Sequence, residues 1–225
     1  MEKIVKNQLT AFWAIIFIAF TLRAPITSVG PLASLLCDDL GISNGMVGLL
    51  TTLPLLAFAV CSLFIAKIGR KIGLATSILL GLFLLLLGIA LRSYAGLWGL
   101  FLGTALIGVG IAFGNVLAIS FIKQHFPSKS GLLTAIYTCA MAVFAGLAAG
   151  LSLPLAQNLS WGWQNTFAFW GILTVVAILF LWPCVKAEKN NREETPQQPT
   201  NQKKAASVYR STLAWQISLF MGLQS

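Results

Sequence analysis

Residues Leu74 to Arg92 read LATSILLGLFLLLLGIALR, uncharged until the final residue. About 20 residues at 1.5 Å rise cross a hydrocarbon core of about 30 Å, so this run has the length of one membrane crossing. It is continuously apolar, without the alternation of a barrel strand, and therefore predicts a helix. Further runs of this kind flank it at 9–31, 46–66, 97–122, 131–155 and 163–184. An all-α integral membrane protein follows, with a six-helix N-terminal bundle over 1–184. A polar stretch over 185–212 then reads VKAEKNNREETPQQPTNQKKAASVYRST. It holds too little apolar surface to fold alone, and is expected to be a partly helical cytoplasmic linker. A seventh apolar run occupies 213–225, too short to cross, and is expected to be the truncated start of a seventh helix.

Composition agrees with this reading. The chain is 57% hydrophobic and 9% charged, against about 25% charged in soluble domains. Its net charge of +9 would suggest nucleic acid on a soluble protein. Here the basic residues fall in linkers between apolar runs, which is the signature of topology. The expected partners are thus the lipid bilayer and a small-molecule solute, and no nucleic acid. Met1 to Lys6 imitates the start of a signal peptide. The apolar run continues to Leu22 with no small-residue cleavage site, so it reads as a retained first helix. Of the 15 Lys and Arg residues, all except Arg23 and Arg92 fall on one side when the N-terminus is placed inside. The expectation is a multi-pass protein of the bacterial inner membrane with a cytoplasmic N-terminus. Arg92 is assigned to the outer side, beside the linker 93–96.

Cys37, Cys61, Cys139 and Cys184 show no C-x-x-C spacing, and read as packing residues rather than metal ligands or disulfides. None of the six acids lies inside a span, and the single histidine, His125, reads as a solvated interfacial residue. No catalytic cluster, metal site or cofactor is expected, which argues against an enzyme. Proton relays in pumps usually rest on membrane Asp, Glu or His, and none is available within these spans.

Arg23 is the sharpest candidate. It lies about fifteen residues into the first span, where a charge is costly and usually faces a cavity or partner. Two roles fit it: contact with an anionic or polar solute, or snorkelling to the outer interface. Pro25 interrupts the helix ladder two residues later, and Thr21, Thr27 and Ser28 are placed to line the same region. Asn115 in the fourth span is second; its amide needs a partner, either solute or a facing helix. Tyr137, Thr138, Gln216 and Gln224 are weaker candidates. Small residues punctuate the fourth span (Gly103, Gly108, Gly110, Gly114) and the fifth (Ala142, Gly146, Gly150). Close helix packing explains most of them.

The stretch Ile65-Ala66-Lys67-Ile68-Gly69-Arg70-Lys71 resembles the cytoplasmic loop motif of the major facilitator superfamily, commonly G-x-x-x-D-R-x-G-R-R/K. Lys67, Gly69, Arg70 and Lys71 match it; Ala66 stands in place of the Asp, so that residue's role does not carry over. Leu22 to Pro31, Gly48 to Pro54, Gly108 to Pro127 and Leu213 to Ser225 are similar to the cyanate permease and 2-nitroimidazole transporter family. Ile119 stands where a proline is expected and His125 where an acid is expected. The resemblance implies a secondary transporter for a small polar or anionic solute such as cyanate or a nitroimidazole-like compound. It would work by alternating access between two six-helix bundles, and this chain would be an N-terminal fragment whose partner is the missing C-terminal six-helix half. Arg23 is then the best wager for a substrate contact and Asn115 the second. The competing reading is a non-transporting six-span membrane interaction protein or partner subunit.

Overall fold

Each apolar span folds as a helix because only helices satisfy their backbone within one segment of apolar chain. The computed structural model describes residues 2–194, with side chains for residues 8–190. In chain order the helices are α1 (Glu2–Thr27), α2 (Ala33–Leu40), α3 (Asn44–Ile72), α4 (Leu74–Tyr94), α5 (Gly96–His125), α6 (Ser130–Asn158) and α7 (Gly162–Glu194). A short 3₁₀ turn, Pro127–Lys129, precedes α6. Among the described residues, six helices are long and apolar enough to cross a membrane; α2 is not one of them. Residues 1–189 form one compact unit. The 195–225 stretch, with Gln216 and Gln224, lies outside the described residues.

The long helices alternate in direction. One end of the bundle therefore collects Lys67, Arg70, Lys71, Lys123, Lys129, Lys186 and Lys189, and the other carries Asp38 and Asp39. We refer to these as the basic and acidic ends. At the acidic end, α2 packs Leu36 into a satellite cluster with Val29, Leu32, Leu50, Leu100 and Phe167. Asp39 accepts a hydrogen bond from the Trp163 indole N–H at 2.7 Å, tying α2 to the start of α7.

The core is set by how closely α4 and α5 approach. Gly81 and Gly88 on α4 face Gly110 and Gly103 on α5, two pairs at seven-residue spacing on antiparallel helices. A methyl on Gly110 would fall 2.6 Å from the Gly81 carbonyl oxygen, and one on Gly103 2.5 Å from that of Gly88. No side chain fits there, so backbone meets backbone. Gly108, on another face of α5, presses on Pro54 of α3: a methyl would come within 2.6 Å of the Pro54 Cα. Close packing thus explains Gly103, Gly108 and Gly110. On α6, Gly131, Gly146 and Gly150 have nothing within 4 Å of a would-be methyl, so packing inside this bundle does not account for them.

Two expectations change. The second span does not end near residue 66: α3 runs on to Ile72, and Gly73 alone, at φ +110°, turns the chain into α4. Lys67, Gly69, Arg70 and Lys71 therefore occupy the last turns of a helix. Gly69 is buried against Leu117, and the three basic residues are exposed. At the same end, α7 continues beyond residue 184 to Glu194. Its Glu188 carboxylate accepts from the backbone N–H groups of Leu74, Ala75 and Thr76 at 2.8, 3.0 and 3.2 Å. An anion at a helix N-terminus satisfies orphan donors and complements the helix dipole. The Gly73 turn leaves no room for a Cβ, which would lie 2.7 Å from that carboxylate.

Candidate functional site

The site begins with one packing contact. Gly114 of α5 sits so close to α1 that a methyl there would fall 2.5 Å from Leu22 Cδ2. The residues that follow these two in sequence, Arg23 and Asn115, are thereby brought to one place. They line a pocket of about 130 Å³ with Leu22 and Ile26 of α1, Pro54, Leu55 and Phe58 of α3, and Ile111 of α5. The walls are apolar, and Arg23 and Asn115 supply the polar side chains. That is the usual make-up of a small-molecule site, an apolar concavity with a few placed polar groups.

Arg23 is exposed, while its neighbours Leu22 and Ala24 are fully buried. Asn115 is half-buried, and its Oδ1 accepts from the Tyr137 hydroxyl of α6 at 3.2 Å. With that oxygen engaged, the amide N–H₂ is the donor end. Tyr137 is 3% exposed. Three of the sequence candidates, Arg23, Asn115 and Tyr137, are thus brought together from α1, α5 and α6. Thr27 is not: its hydroxyl donates to the Arg23 carbonyl at 3.1 Å, a bond within its own helix. Thr138 donates back to Thr134. Ser28 and Thr21 are fully buried. Gln224 lies outside the described residues.

Arg92, expected on the outer side at the end of its span, stands in the last turn of α4 at the acidic end and is 1% exposed. Its Nη1 donates to the Pro25 carbonyl at 2.7 Å, and its guanidinium lies 3.8 Å from the Phe167 ring centroid. Nε and Nη2 have no hydrogen-bond partner among the described residues. His125, the last residue of α5, is half-buried, its Nδ1 stands 3.1 Å from the Phe121 carbonyl, and its ring leans on the Phe121 ring. Neither position had a signal in spacing or composition, because the groups they meet are set by packing.

A second concavity, of about 420 Å³, opens at the acidic end. Leu35, Asp38, Asp39, Ala156, Gly162, Trp163 and Gln164 line it. The described residues contain no group of three His, Cys, Asp or Glu placed to hold a metal ion.

The family model described as Major Facilitator Superfamily matches residues 13–224. An uncharacterized transporter, YycB of Bacillus subtilis, is 45% identical over 97% of this chain and 54% of its own length. The 2-nitroimidazole transporter of Escherichia coli is 38% identical, over 98% of this chain and 55% of its length. The cyanate transport protein CynX of the same organism is 29% identical, over 93% and 53%. This chain spans about half the length of these relatives. The xylose transporter XylE of E. coli, solved in an inward-open conformation, superposes with a TM-score of 0.65 over 97% of this chain and 56% of that one. At 15% identity, that likeness shows the fold alone.

Proposed function

The chain belongs to the Major Facilitator Superfamily, and from that premise we propose that it carries half of a transport site for a small polar or anionic solute. Its curated relatives are transporters, which supports a membrane transporter as the general reading. The observation that carries the finer reading is the meeting of Arg23 and Asn115 at one small apolar pocket. The guanidinium offers several N–H donors in a fixed fork and the amide adds two more. Such a site suits a solute rich in acceptors. Cyanate is one, and the nitro group of 2-nitroimidazole, with two oxygens in a plane, is another. A volume of about 130 Å³ suits a few heavy atoms or one small ring, well below the several hundred Å³ of drug-sized sites.

The transport cycle in this proposal is alternating access, with a second six-helix bundle closing the site from the other side. Support comes from α3 and α6, the least buried spans, which expose apolar side chains. Leu55, Leu56 and Val60 of α3 and Val143, Leu147 and Leu151 of α6 are among them. Placing the basic end in the cytoplasm of a bacterial inner membrane follows the positive-inside rule, and puts the N-terminus inside.

The test is uptake of radiolabelled cyanate and of 2-nitroimidazole by cells expressing the carrier, with Arg23→Ala alongside. The expected outcome is saturable uptake of at least one probe and a loss on the order of a hundredfold in Arg23→Ala, as a placed charged hydrogen bond is worth about 2–3 kcal/mol. Saturable uptake that survives Arg23→Ala unchanged overturns the assignment of the site.

A further inference from the structure

Arg23 reaches the pocket from a short stretch of α1 that is held from behind at two points. Two residues before it, the Thr21 hydroxyl pairs with the Thr174 hydroxyl of α7 at 2.5 Å, both side chains fully buried. Two residues after it, the Pro25 carbonyl accepts from Arg92 at 2.7 Å. Pro25 has no N–H, so the ladder bond that would tie residue 25 to Thr21 is absent and this turn of helix is loosened. Side chains supply the ties the backbone lacks.

Arg92 is a costly choice for that task. A guanidinium in a span is expensive to bury, and an apolar residue would pack there without the penalty. Yet the site is shaped around it. Phe167 presents its ring face at 3.8 Å, a favourable seat for a cation. Gly103 of α5 has no side chain where it meets this turn: a methyl there would fall 2.5 Å from the Arg92 backbone nitrogen. Three helices thus accommodate one buried charge whose hydrogen bond is given to α1.

We propose that Arg92 is a positioning residue for the transport site: by holding the Pro25 carbonyl it sets where Arg23 stands in the pocket. Arg92 need not touch solute. Its effect passes along two residues of α1, and Phe167 keeps the guanidinium aimed. This inference rests on the reading of Arg23 as the solute contact, and two readouts separate the fates of the two ideas.

The first readout is independent of solute. With every native cysteine of the complete carrier, Cys37, Cys61, Cys139 and Cys184 among them, replaced by serine or alanine, a single cysteine is placed by Arg23→Cys and the protein is put in liposomes. Its rate of modification by a charged methanethiosulfonate reagent is measured with and without Arg92→Gln. The second readout is the KM and maximal rate for whichever probe is taken up, cyanate or 2-nitroimidazole, in the otherwise unmodified carrier, for Arg92→Gln, Arg92→Lys and Arg23→Ala. The expected result is a modification rate at position 23 shifted by about threefold or more in Arg92→Gln. KM should rise about tenfold, more than the maximal rate falls, with partial recovery in Arg92→Lys, which keeps a charged donor. Phe167→Leu, which leaves the charge and removes its seat, should move both readouts in the same direction by less, and decides the matter if Arg92→Gln fails to accumulate. An unchanged modification rate in both variants overturns the proposal. So does a KM that stays put in both while Arg23→Ala raises it. If Arg23→Ala leaves KM unchanged while the modification rate shifts, the solute assignment of Arg23 fails and the geometric link between Arg92 and position 23 stands.

Discussion

Two arginines near the acidic half of the bundle sit in opposite surroundings. Arg23 is exposed to a pocket, and the residues on either side of it are buried. Arg92 is enclosed at 1% exposure, with a carbonyl at one end and an aromatic face beside it. Arg23 keeps its donors toward the pocket, whereas Arg92 is desolvated and gives one donor, Nη1, to the fold. Depth in a span alone therefore does not say what a membrane arginine does. The surfaces offered by neighbouring helices do.

The largest way to break this contrast is to remove the room that Arg92 occupies. Gly103→Ala places a methyl against backbone on both α4 residues it faces, and should cost about 3 kcal/mol, as in overpacked cores. Gly146→Ala on α6 meets nothing and should stay within about 0.5 kcal/mol. Thermal unfolding in detergent reads both; equal midpoints would remove the idea that α5 is the packing centre. Next, Arg92→Ala should lower stability by about 2 kcal/mol through the hole left beside Phe167 and the loss of the Pro25 bond. Arg23→Ala should leave the midpoint in place, which sharpens the division between a structural and a ligand-facing arginine.

Smaller effects test the other end of α4. Glu188→Ala removes the acceptor of three backbone donors, and should cost about 1 kcal/mol, the usual worth of a helix cap. Hydrogen exchange at Leu74, Ala75 and Thr76 should rise in that variant and nowhere near Arg92. Smallest of all, Tyr137→Phe deletes one neutral hydrogen bond to Asn115, worth about 0.5 kcal/mol. Cyanate uptake should then weaken only about twofold. A tenfold loss would promote Tyr137 from a support of Asn115 to a direct solute contact.

The sequence made the helices legible because a bilayer demands long uncharged runs, and Leu74 to Arg92 could hardly be anything else. Arg23 and Asn115 were legible for the same reason: polar groups inside such runs stand out. What stayed hidden depends on distant parts of the chain meeting. Arg92 reaches Pro25 across 67 residues, and Glu188 reaches the start of α4 across more than a hundred. Arg92 at the tail of a run is by count only an outer-side charge. Glu188 in a polar stretch looks like a solvated linker residue. The pairing of Gly81 with Gly110 and Gly88 with Gly103 was half visible as small residues, but their register needed the antiparallel contact itself.

In the proposed site Arg23 holds solute, while Arg92 holds the Pro25 carbonyl two residues away. Equilibrium binding of radiolabelled cyanate to the purified complete carrier tests it most directly, with Arg23→Gln compared against the unsubstituted protein. Saturable binding is expected, weakened by about tenfold or more when the charge is removed. Cyanate affinity unchanged in Arg23→Gln would contradict it.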